Sequence, residues 1–233
     1  MSRSPLGHRS FVHHDLIVFD DLDTLSDAAA RYVADIARAA VAEEGTFQFA
    51  VSGGRSPWQM FAVLTTLDMP WERTVIWQVD ERVAPADDPD RNLAHLRKAL
   101  GDRVVEVRPM PVEDADLDVA AAGYGAALPH RFHLVHLGIG PDGHTASLVP
   151  TDPVLQVRDR PVAVTSTIYQ GRRRMTLTYP GIERARQLLW LVTGGDKRGP
   201  LEKLLAGDPS IPAGRVEAGS SLVMADRAAA PAG

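Results

Sequence analysis

Short apolar runs rich in Val, Ile and Phe alternate along this chain with longer amphipathic segments, which limits the folds that it can adopt. The short runs predict buried strands. These strands are expected at residues 16–19, 47–53, 75–81, 104–108, 132–138, 162–168, 174–179, 188–194 and 222–226. The segments between them predict helices at residues 24–44, 57–68, 92–100, 115–128 and 197–206, and Gly45, Gly101 and Gly207 follow three of these as stop signals.

Strands separated by helices of this length predict βαβ units and a mostly parallel sheet. We therefore expect a doubly wound α/β fold with helices on both faces of the sheet. The sequence contains no internal repeat and no low-complexity linker, so we expect a single domain over residues 10–227. Residues 1–9 and 228–233 offer little to pack, and we expect them to be disordered tails.

Composition excludes several classes of function. The chain has 233 residues, no cysteine and a formal net charge of −5. Without cysteine there is no disulfide framework, thiol nucleophile or zinc–thiolate site, and an acidic chain lacks the basic face of a nucleic-acid surface. No apolar run reaches the ~18 residues of a membrane span, and the N-terminal residues lack the apolar core of a secretory signal. We therefore expect a cytoplasmic protein.

Residues that follow the predicted strands are the first candidates for function, because ligands of open α/β sheets bind beyond the carboxyl ends of strands. After the strand at 47–53, Gly53 and Gly54 precede Ser56 and Pro57, which predict a helix N-cap and first turn. Exposed backbone N–H groups before a helix are typical of an anion site, although a plain strand–turn–helix connection has the same pattern. A nucleoside triphosphate is not expected, because the Gly-Lys-Ser/Thr ending of a Walker loop is missing.

The segment GIGPDG, residues 138–143, fits the G-x-G-x-x-G fingerprint of dinucleotide-binding proteins. That fingerprint requires a crossover helix of about a dozen residues, whereas HTASLV alone separates Gly143 from Pro150. We therefore reject a nicotinamide or flavin site. A glycine turn that presents Asp142 and His144 remains, and histidine beside a carboxylate is a credible general base. A structural Asp–His pair would give the same pattern.

Charged residues also lie next to three other predicted strands or glycine turns. Asp80, Glu81 and Arg82 form a solvated rim or a substrate shelf at the end of the strand at 75–81. Lys197 falls in the first turn of a helix that follows two glycines, where a bound anion would relieve its unfavourable interaction with the helix dipole. Residues 172–174 are three arginines, of which we select Arg174 because it adjoins a strand.

Taken together, these features predict acid–base chemistry on a small phosphorylated molecule, without a cofactor. The eight histidines are scattered, so no metal constellation is expected. The sequence also lacks the G-x-S-x-G nucleophile elbow of serine hydrolases. The order of five motifs resembles the 6-phosphogluconolactonase family. The motifs are SGGRSP, DERVAP with RNLAHLRKAL, LGIGPDGHTASLVP, RRRMTLTYPGI and VTGGDKRGPLEKLL, within residues 17–226.

The resemblance implies a Rossmann-like α/β fold. It also implies hydrolysis of 6-phospho-D-glucono-1,5-lactone to 6-phospho-D-gluconate in the oxidative pentose phosphate pathway. It implies no metal or cofactor, a small phosphorylated sugar lactone as the partner, and no nucleic acid or membrane. A functional association with glucose-6-phosphate dehydrogenase is a further expectation.

The resemblance also suggests roles for individual residues. His144 matches the proposed general base, and Asp142 and Arg82 complete the catalytic candidates. Candidates for binding the sugar and its phosphate are Gly53, Gly54, Ser56, Asp80, Asn92, Gly140, Gly143, Arg174 and Lys197. The chain departs from the family at Arg91, usually Ser, at Val149, usually Phe, and at residues 181–183, where the family usually has Ile-Asn. These departures concern the wall of the pocket.

Three alternatives stay open. A glucosamine-6-phosphate deaminase/isomerase of the same superfamily has DGHIAFNEP and DEY in place of DGHTASLVP and DER. A non-catalytic sugar-phosphate sensor could use the same pocket, but it would need neither Asp142 nor His144. A nicotinamide dehydrogenase conflicts with the missing crossover helix.

Overall fold

The computed structural model describes residues 13–231 of the chain, and all structural statements refer to this range. Its strands are β1 (His14–Phe19), β2 (Phe47–Val51), β3 (Thr74–Gln78), β4 (Asp80–Arg82), β5 (Glu106–Arg108), β6 (Phe132–Leu137), β7 (Val162–Val164), β8 (Arg174–Leu177), β9 (Ala185–Val192) and β10 (Ser221–Asp226). Its α-helices are α1 (Leu22–Glu44), α2 (Arg55–Leu64), α3 (Asn92–Leu100), α4 (Leu117–Ala127), α5 (Tyr179–Ile182) and α6 (Arg198–Leu205). Short 3₁₀ helices lie at Trp71–Arg73, Pro153–Gln156, Gly195–Lys197 and Ala213–Arg215.

Within the described range, seven strands form one parallel sheet in the order β1-β10-β9-β6-β2-β3-β5. From β2 the chain adds β3 and β5 on one side, and then returns to place β6, β9 and β10 on the other. The strand order therefore reverses between β2 and β6, which is the topological switch point where such sheets bind ligands. The doubly wound α/β prediction is confirmed.

Alternate residues of the central strands point into two apolar cores, one on each face of the sheet. Phe49 and Leu134 belong to the core that α1 and α2 cover. Ala50 and Val135, their neighbours in the chain, belong to the core on the α4 face. This alternation follows from strand geometry, which directs successive side chains to opposite faces, and it fixes which face each strand-end residue can reach.

A second, smaller sheet contains β4, β8 and β7 in antiparallel order. The sequence predicted one strand over residues 75–81 and a single, mostly parallel sheet. Residues 75–78 do belong to the parallel sheet as part of β3, but the strand ends at Gln78, and β4, β7 and β8 pair separately. Val79 joins the two sheets: its N–H donates to Val51 at 3.0 Å, while its carbonyl accepts from Leu177 at 2.7 Å. An apolar run indicates a buried strand, but it carries no information about which sheet accepts it.

Helices α1 and α2 begin two residues before their predicted starts at residues 24 and 57. Helix α1 begins at Leu22 rather than at Thr24, because Asp21 caps it through the Thr24 N–H at 2.9 Å. Helix α2 begins at Arg55, with Gly54 at the N-cap. The prediction that Ser56 caps this helix is therefore wrong, and its hydroxyl instead lies 2.9 Å from Oγ1 of Thr193.

The predicted C-terminal tail also needs a correction. Ala229 is fully buried in the core on the α4 face. Its N–H donates to Oδ1 of Asp226 at 2.8 Å. The turn after β10 therefore packs onto the domain, contrary to the expectation of a loose tail from residue 228. The predicted tail at residues 1–9, and residues 232–233, lie outside the described residues.

Candidate active site

A cavity opens at the switch point between the carboxyl ends of β2 and β6 and has two lobes. The His144 lobe, of about 610 Å³, and the Lys197 lobe, of about 940 Å³, share Gly53, Gly54 and Gly138 in their walls. Both volumes include space that is open to solvent. One elongated ligand could therefore extend from one lobe into the other.

The turn after β6 is compact and held by its own backbone. The N–H of Gly140 donates to the carbonyl of His144 at 2.8 Å, and the N–H of Gly143 donates to the carbonyl of Gly140 at 2.9 Å. A Cβ atom on Gly140 would lie 2.0 Å from Nδ1 of His144, so only glycine fits there. The stretch from β6 to β7, which is described throughout, contains a 3₁₀ helix but no crossover α-helix, as the sequence predicted.

His144 and Asp142 form a close pair at the wall of the His144 lobe. Nδ1 of His144 lies 2.5 Å from Oδ1 of Asp142. Burial acts to raise the pKa of Asp142, but hydrogen bonds from His144 and from Tyr169 outweigh it, and the net pKa is lowered. An ionised carboxylate can only accept hydrogen bonds, so the facing Nδ1 carries the proton. This tautomer leaves Nε2 of His144 as the basic nitrogen.

The segment Asp80–Arg82 alternates between two environments, as a strand requires. Asp80 and Arg82 line the His144 lobe. The Asp80 carboxylate accepts from the hydroxyl of Ser147 at 2.6 Å. Glu81 points the other way, is fully buried, and accepts the backbone N–H groups of Asn92 and Leu93 at 2.8 Å each, which caps α3.

The Asn92 side chain lies between this strand and the glycine turn after β2. Its Oδ1 accepts from Nη1 of Arg82 at 2.6 Å, and its Nδ2 donates to the carbonyl of Asp80 at 3.0 Å. A Cβ atom on Gly53 would lie 2.0 Å from the same Oδ1. The missing side chain at Gly53 therefore lets Asn92 reach the cavity wall.

Arg174 is the member of the arginine triplet that lines the cavity. Arg172 pairs with Asp88, and Nε of Arg173 donates to the carbonyl of Thr165 at 3.0 Å. The Arg174 guanidinium is buried, and within the described residues its Nε has no hydrogen-bond partner. Burial lowers the pKa of Arg174. The negative charge of Asp80 acts to raise this pKa, and the positive charge of Arg82 acts to lower it further. A buried cation with an unused donor favours binding of an anionic or carbonyl oxygen.

The Lys197 lobe lies between the start of α2 and the segment that precedes α6. Its wall includes Arg55, Ser56 and Lys197. The N-cap of α2 is Gly54, which has no side chain to cap the helix, so the first backbone N–H groups are available to an anion. Nζ of Lys197 lies 2.7 Å from Oδ2 of Asp196, which offsets the unfavourable position of the cation beside the helix N-terminus.

A second histidine, His136 on β6, also contributes to the wall of the Lys197 lobe. It is completely buried, and burial lowers its pKa to about 3. Neither ring nitrogen has a hydrogen-bond partner in the described part of the chain. His136 is therefore neutral near pH 7.

The predicted site residues come together in this cavity. The His144 lobe contains Gly53, Gly54, Asp80, Arg82, Asn92, His144 and Arg174, and the Lys197 lobe contains Gly53, Gly54, Ser56 and Lys197. Asp142, Gly140 and Gly143 form the turn behind His144. Of the departures from the family pattern, Val149 lines the His144 lobe. Arg91 lies away from it, buried and paired with Glu81 at 3.2 Å.

Sequence reasoning missed Tyr169, Ser147 and Arg55, all of which line the cavity. The run at 162–168 was predicted to be one strand, whereas β7 ends at Val164 and a hairpin follows. No motif signals Tyr169. Ser147 lies inside the DGHTASLVP motif, so its alternation with Thr145 could have drawn attention to it.

Two absences hold for the part of the chain that the structure covers. Residues 13–231 contain no cluster of three or more His, Asp or Glu side chains placed to hold a metal ion. Among the described helices, none combines the length and apolar character that crossing a membrane requires.

The switch-point cavity, with a carboxylate-paired histidine and several cations, defines an α/β protein suited to acid–base chemistry on an anionic ligand. A family model described as glucosamine-6-phosphate isomerases/6-phosphogluconolactonase matches residues 20–224. The chain belongs to this family, as the resemblance of its motifs predicted.

The chain is also similar to individual members of this family in sequence and in fold. The chain is 34% identical over 223 residues to a 6-phosphogluconolactonase of Mesorhizobium japonicum, covering 91% of this chain and 92% of the relative. It is 38% identical over 175 residues to the GDH/6PGL endoplasmic bifunctional protein of Homo sapiens, covering 68% of this chain but 22% of that protein. A crystal structure of 6-phosphogluconolactonase from Thermotoga maritima has the same fold, with a TM-score of 0.83, 23% identity and coverage of 92% and 100%.

Proposed function

We propose that the chain is a 6-phosphogluconolactonase, which hydrolyses 6-phospho-D-glucono-1,5-lactone to 6-phospho-D-gluconate in the pentose phosphate pathway. One observation carries the proposal: the Asp142-paired His144 and the buried Arg174 line one lobe of a cavity whose other lobe holds Lys197. The name and near-complete coverage of the Mesorhizobium japonicum relative support this substrate.

The phosphate is assigned to the Lys197 lobe. The uncapped N-terminus of α2, Arg55 and Lys197 supply N–H donors and positive charge to this lobe. Each charge-assisted hydrogen bond to a phosphate oxygen stabilises binding by roughly 1.5–3 kcal/mol. With the phosphate held there, the sugar ring extends past Gly53 and Gly138 into the His144 lobe.

His144 acts as the general base in this proposal. Nε2 removes a proton from a water molecule, whose oxygen attacks the lactone carbonyl and forms the tetrahedral intermediate. The ring C–O bond then breaks, and His144 returns the proton to the departing ring oxygen. Asp142 keeps Nδ1 protonated throughout and stabilises the transient imidazolium.

The negative charge that develops on the carbonyl oxygen needs fixed donors. Arg174 is the strongest candidate, because this buried cation lines the His144 lobe. Arg82 lies opposite Arg174 on the adjacent strand and adds positive charge. Asp80 and Asn92 present acceptors and a donor for hydroxyl groups of the sugar. Lactone hydrolysis involves no oxidation or reduction, so no redox cofactor is needed, and in this proposal His144 rather than a metal ion activates the water.

The test is a lactonase assay on the intact chain. The lactone is generated in situ from glucose-6-phosphate, base uptake is followed, and the spontaneous rate is subtracted, with and without a chelator. Acceleration in both conditions is expected. No acceleration would contradict the proposal, and ammonia release from glucosamine-6-phosphate would instead favour the glucosamine-6-phosphate branch of the family.

We also propose a functional association with glucose-6-phosphate dehydrogenase, which would supply the lactone, in the cytoplasm. The bifunctional human relative, whose name joins GDH and 6PGL, supports such coupling. Faster lactone turnover when the dehydrogenase is added at constant lactone supply would support a physical contact.

A further inference from the structure

Tyr169 contacts both members of the Asp142–His144 pair. Its hydroxyl donates to Oδ2 of Asp142 at 3.1 Å and lies 3.2 Å from Nδ1 of His144. Its ring meets the imidazole edge-on, with centroids 5.2 Å apart and planes at 67°. The side chain also forms part of the wall of the His144 lobe. It therefore lies where it can control the geometry of the base.

The same residue contacts the buried cation of this lobe. The guanidinium carbon of Arg174 lies 5.8 Å from the centre of the Tyr169 ring, and Nη2 of Arg174 donates to the Tyr169 carbonyl at 3.3 Å. Tyr169 therefore contacts both the Asp142–His144 pair and Arg174, the proposed hydrogen-bond donor to the oxyanion.

The backbone holds Tyr169 in a tight hairpin turn between β7 and β8. Tyr169 and Arg172 exchange hydrogen bonds of 3.0 and 3.3 Å. The two residues between them, Gln170 and Gly171, have φ angles of +51° and +81°. Two consecutive positive φ angles are the pattern of a type I′ hairpin turn. The position of Tyr169 is therefore fixed by the fold rather than by a ligand.

We propose that Tyr169 is a positioning residue for the general base, which rests on the lactonase function proposed above. Oδ1 of Asp142 accepts from His144, and Oδ2 accepts from Tyr169, so both carboxylate oxygens are held. Because the Asp142 side chain is 34% exposed, its carboxylate could otherwise rotate toward solvent. Held on both sides, the carboxylate keeps the proton of His144 on Nδ1 and directs Nε2 into the lobe.

The titration of these groups agrees with this role. Desolvation, together with the Asp142 bond, raises the pKa of the Tyr169 hydroxyl, while Arg174 opposes the rise. Tyr169 therefore stays a neutral donor. The groups that face it are Asp142, His144 and Arg174. Removing the hydroxyl takes one donor from Asp142, and the pKa of this carboxyl must then rise.

The experiment compares Tyr169→Phe with Tyr32→Phe, which removes a hydroxyl that bonds Gln187 far from the cavity. We expect Tyr169→Phe to lower kcat by about 10-fold, the loss of one hydrogen bond to a charged group, with KM changed less than about two-fold. The acid limb of the pH–rate profile should move to higher pH. Tyr32→Phe should behave as wild type.

A second readout is independent of turnover. Long-range ¹H–¹⁵N NMR spectra of the imidazole should report one tautomer of His144, protonated on Nδ1, in the wild type and a mixture in Tyr169→Phe. An unchanged tautomer together with an unchanged pH profile would overturn the proposal, even if kcat fell, because Tyr169 would then be merely structural. A wild type without lactonase activity would instead refute the proposed function, while the NMR comparison would still decide the role of Tyr169.

A double-mutant cycle covers the case in which Tyr169→Phe folds poorly at low pH. In an Asp142→Asn background, Tyr169→Phe should change kcat by less than about two-fold, since its partner has lost its charge. An equal effect in both backgrounds would show that the hydroxyl acts independently of Asp142, and would overturn the proposal.

Discussion

The two lobes of the cavity are built in different ways. In the His144 lobe, side chains hold one another: Asp142 with His144 and Tyr169, and Asn92 with Arg82. In the Lys197 lobe, the donors are the backbone end of α2 and two long cationic side chains, the exposed Arg55 and the partly buried Lys197. Proton transfer requires alignment to a fraction of an ångström. A lysine, by contrast, binds phosphate as a point charge and tolerates displacement.

This difference predicts that substitutions in the two lobes change different kinetic constants. A variant in the His144 lobe should lower kcat, because it disturbs an interaction that matters in the transition state. A variant in the Lys197 lobe should raise KM, because the phosphate is bound equally in the ground and transition states.

The largest expected effect belongs to His144→Ala. Loss of general acid–base catalysis should lower kcat by about 10²–10⁴-fold with little change in KM. Lactone hydrolysis is measured beside His130→Ala, which removes an exposed imidazole before β6. A near-normal kcat for His144→Ala would refute the assignment of the base.

Lys197→Ala should act mainly on binding. The loss of one charge-assisted bond to the phosphate should raise KM by about 10–100-fold and leave kcat nearly unchanged. The control is Lys203→Ala, which removes a lysine from the last turn of α6. If kcat fell while KM stayed constant, the division of labour between the lobes would be wrong.

The smallest effect concerns stability in acid. The pKa of Asp142 is lowered in the folded state, since its donors outweigh the opposing effect of burial. Ionised Asp142 therefore stabilises the folded state fully when the pH is above 3.8, the pKa of this carboxyl in the unfolded chain. The stabilisation is lost as the pH falls through the lower pKa of the folded state. Wild type should melt above Asp142→Asn by about 2 °C or less near pH 5, and the difference should vanish in stronger acid.

Asp196→Asn is the matched comparison from the other lobe. Asp196 pairs with Lys197, but the carboxylate is largely exposed, and exposed pairs contribute little to stability. Its melting temperature should equal that of wild type at both pH values. A larger decrease in melting temperature for Asp196→Asn than for Asp142→Asn would contradict the proposed difference between the two lobes.

Much of this architecture could be predicted because its signals are local in the sequence. The carboxyl ends of β2 and β6 carry glycine turns, so Gly53, Gly54 and His144 could be placed at one edge of the sheet before the structure was known. Parallel strands bring such residues together whatever the exact strand order.

Other features depend on partners that are distant in the sequence. Strand β4 leaves the parallel sheet because β8 pairs with it, and no property of residues 80–82 reports the position of residues 174–176. Ser56 has the residue type of an N-cap, yet its hydroxyl lies beside Thr193, 137 positions away. Tyr169 was missed for the same reason, since its partners lie on another turn.

The turn that carries the base is closed by hydrogen bonds within itself, and the carbonyl of Gly143 also accepts from Ala213 at 3.0 Å. Its shape is therefore set once, when the chain folds, and persists from one turnover to the next. An arriving substrate meets a base that already faces it and does not wait for a loop to close. The rate of productive encounter should then depend on diffusion and on the charge at the entrance, rather than on the microsecond-to-millisecond motions of a lid.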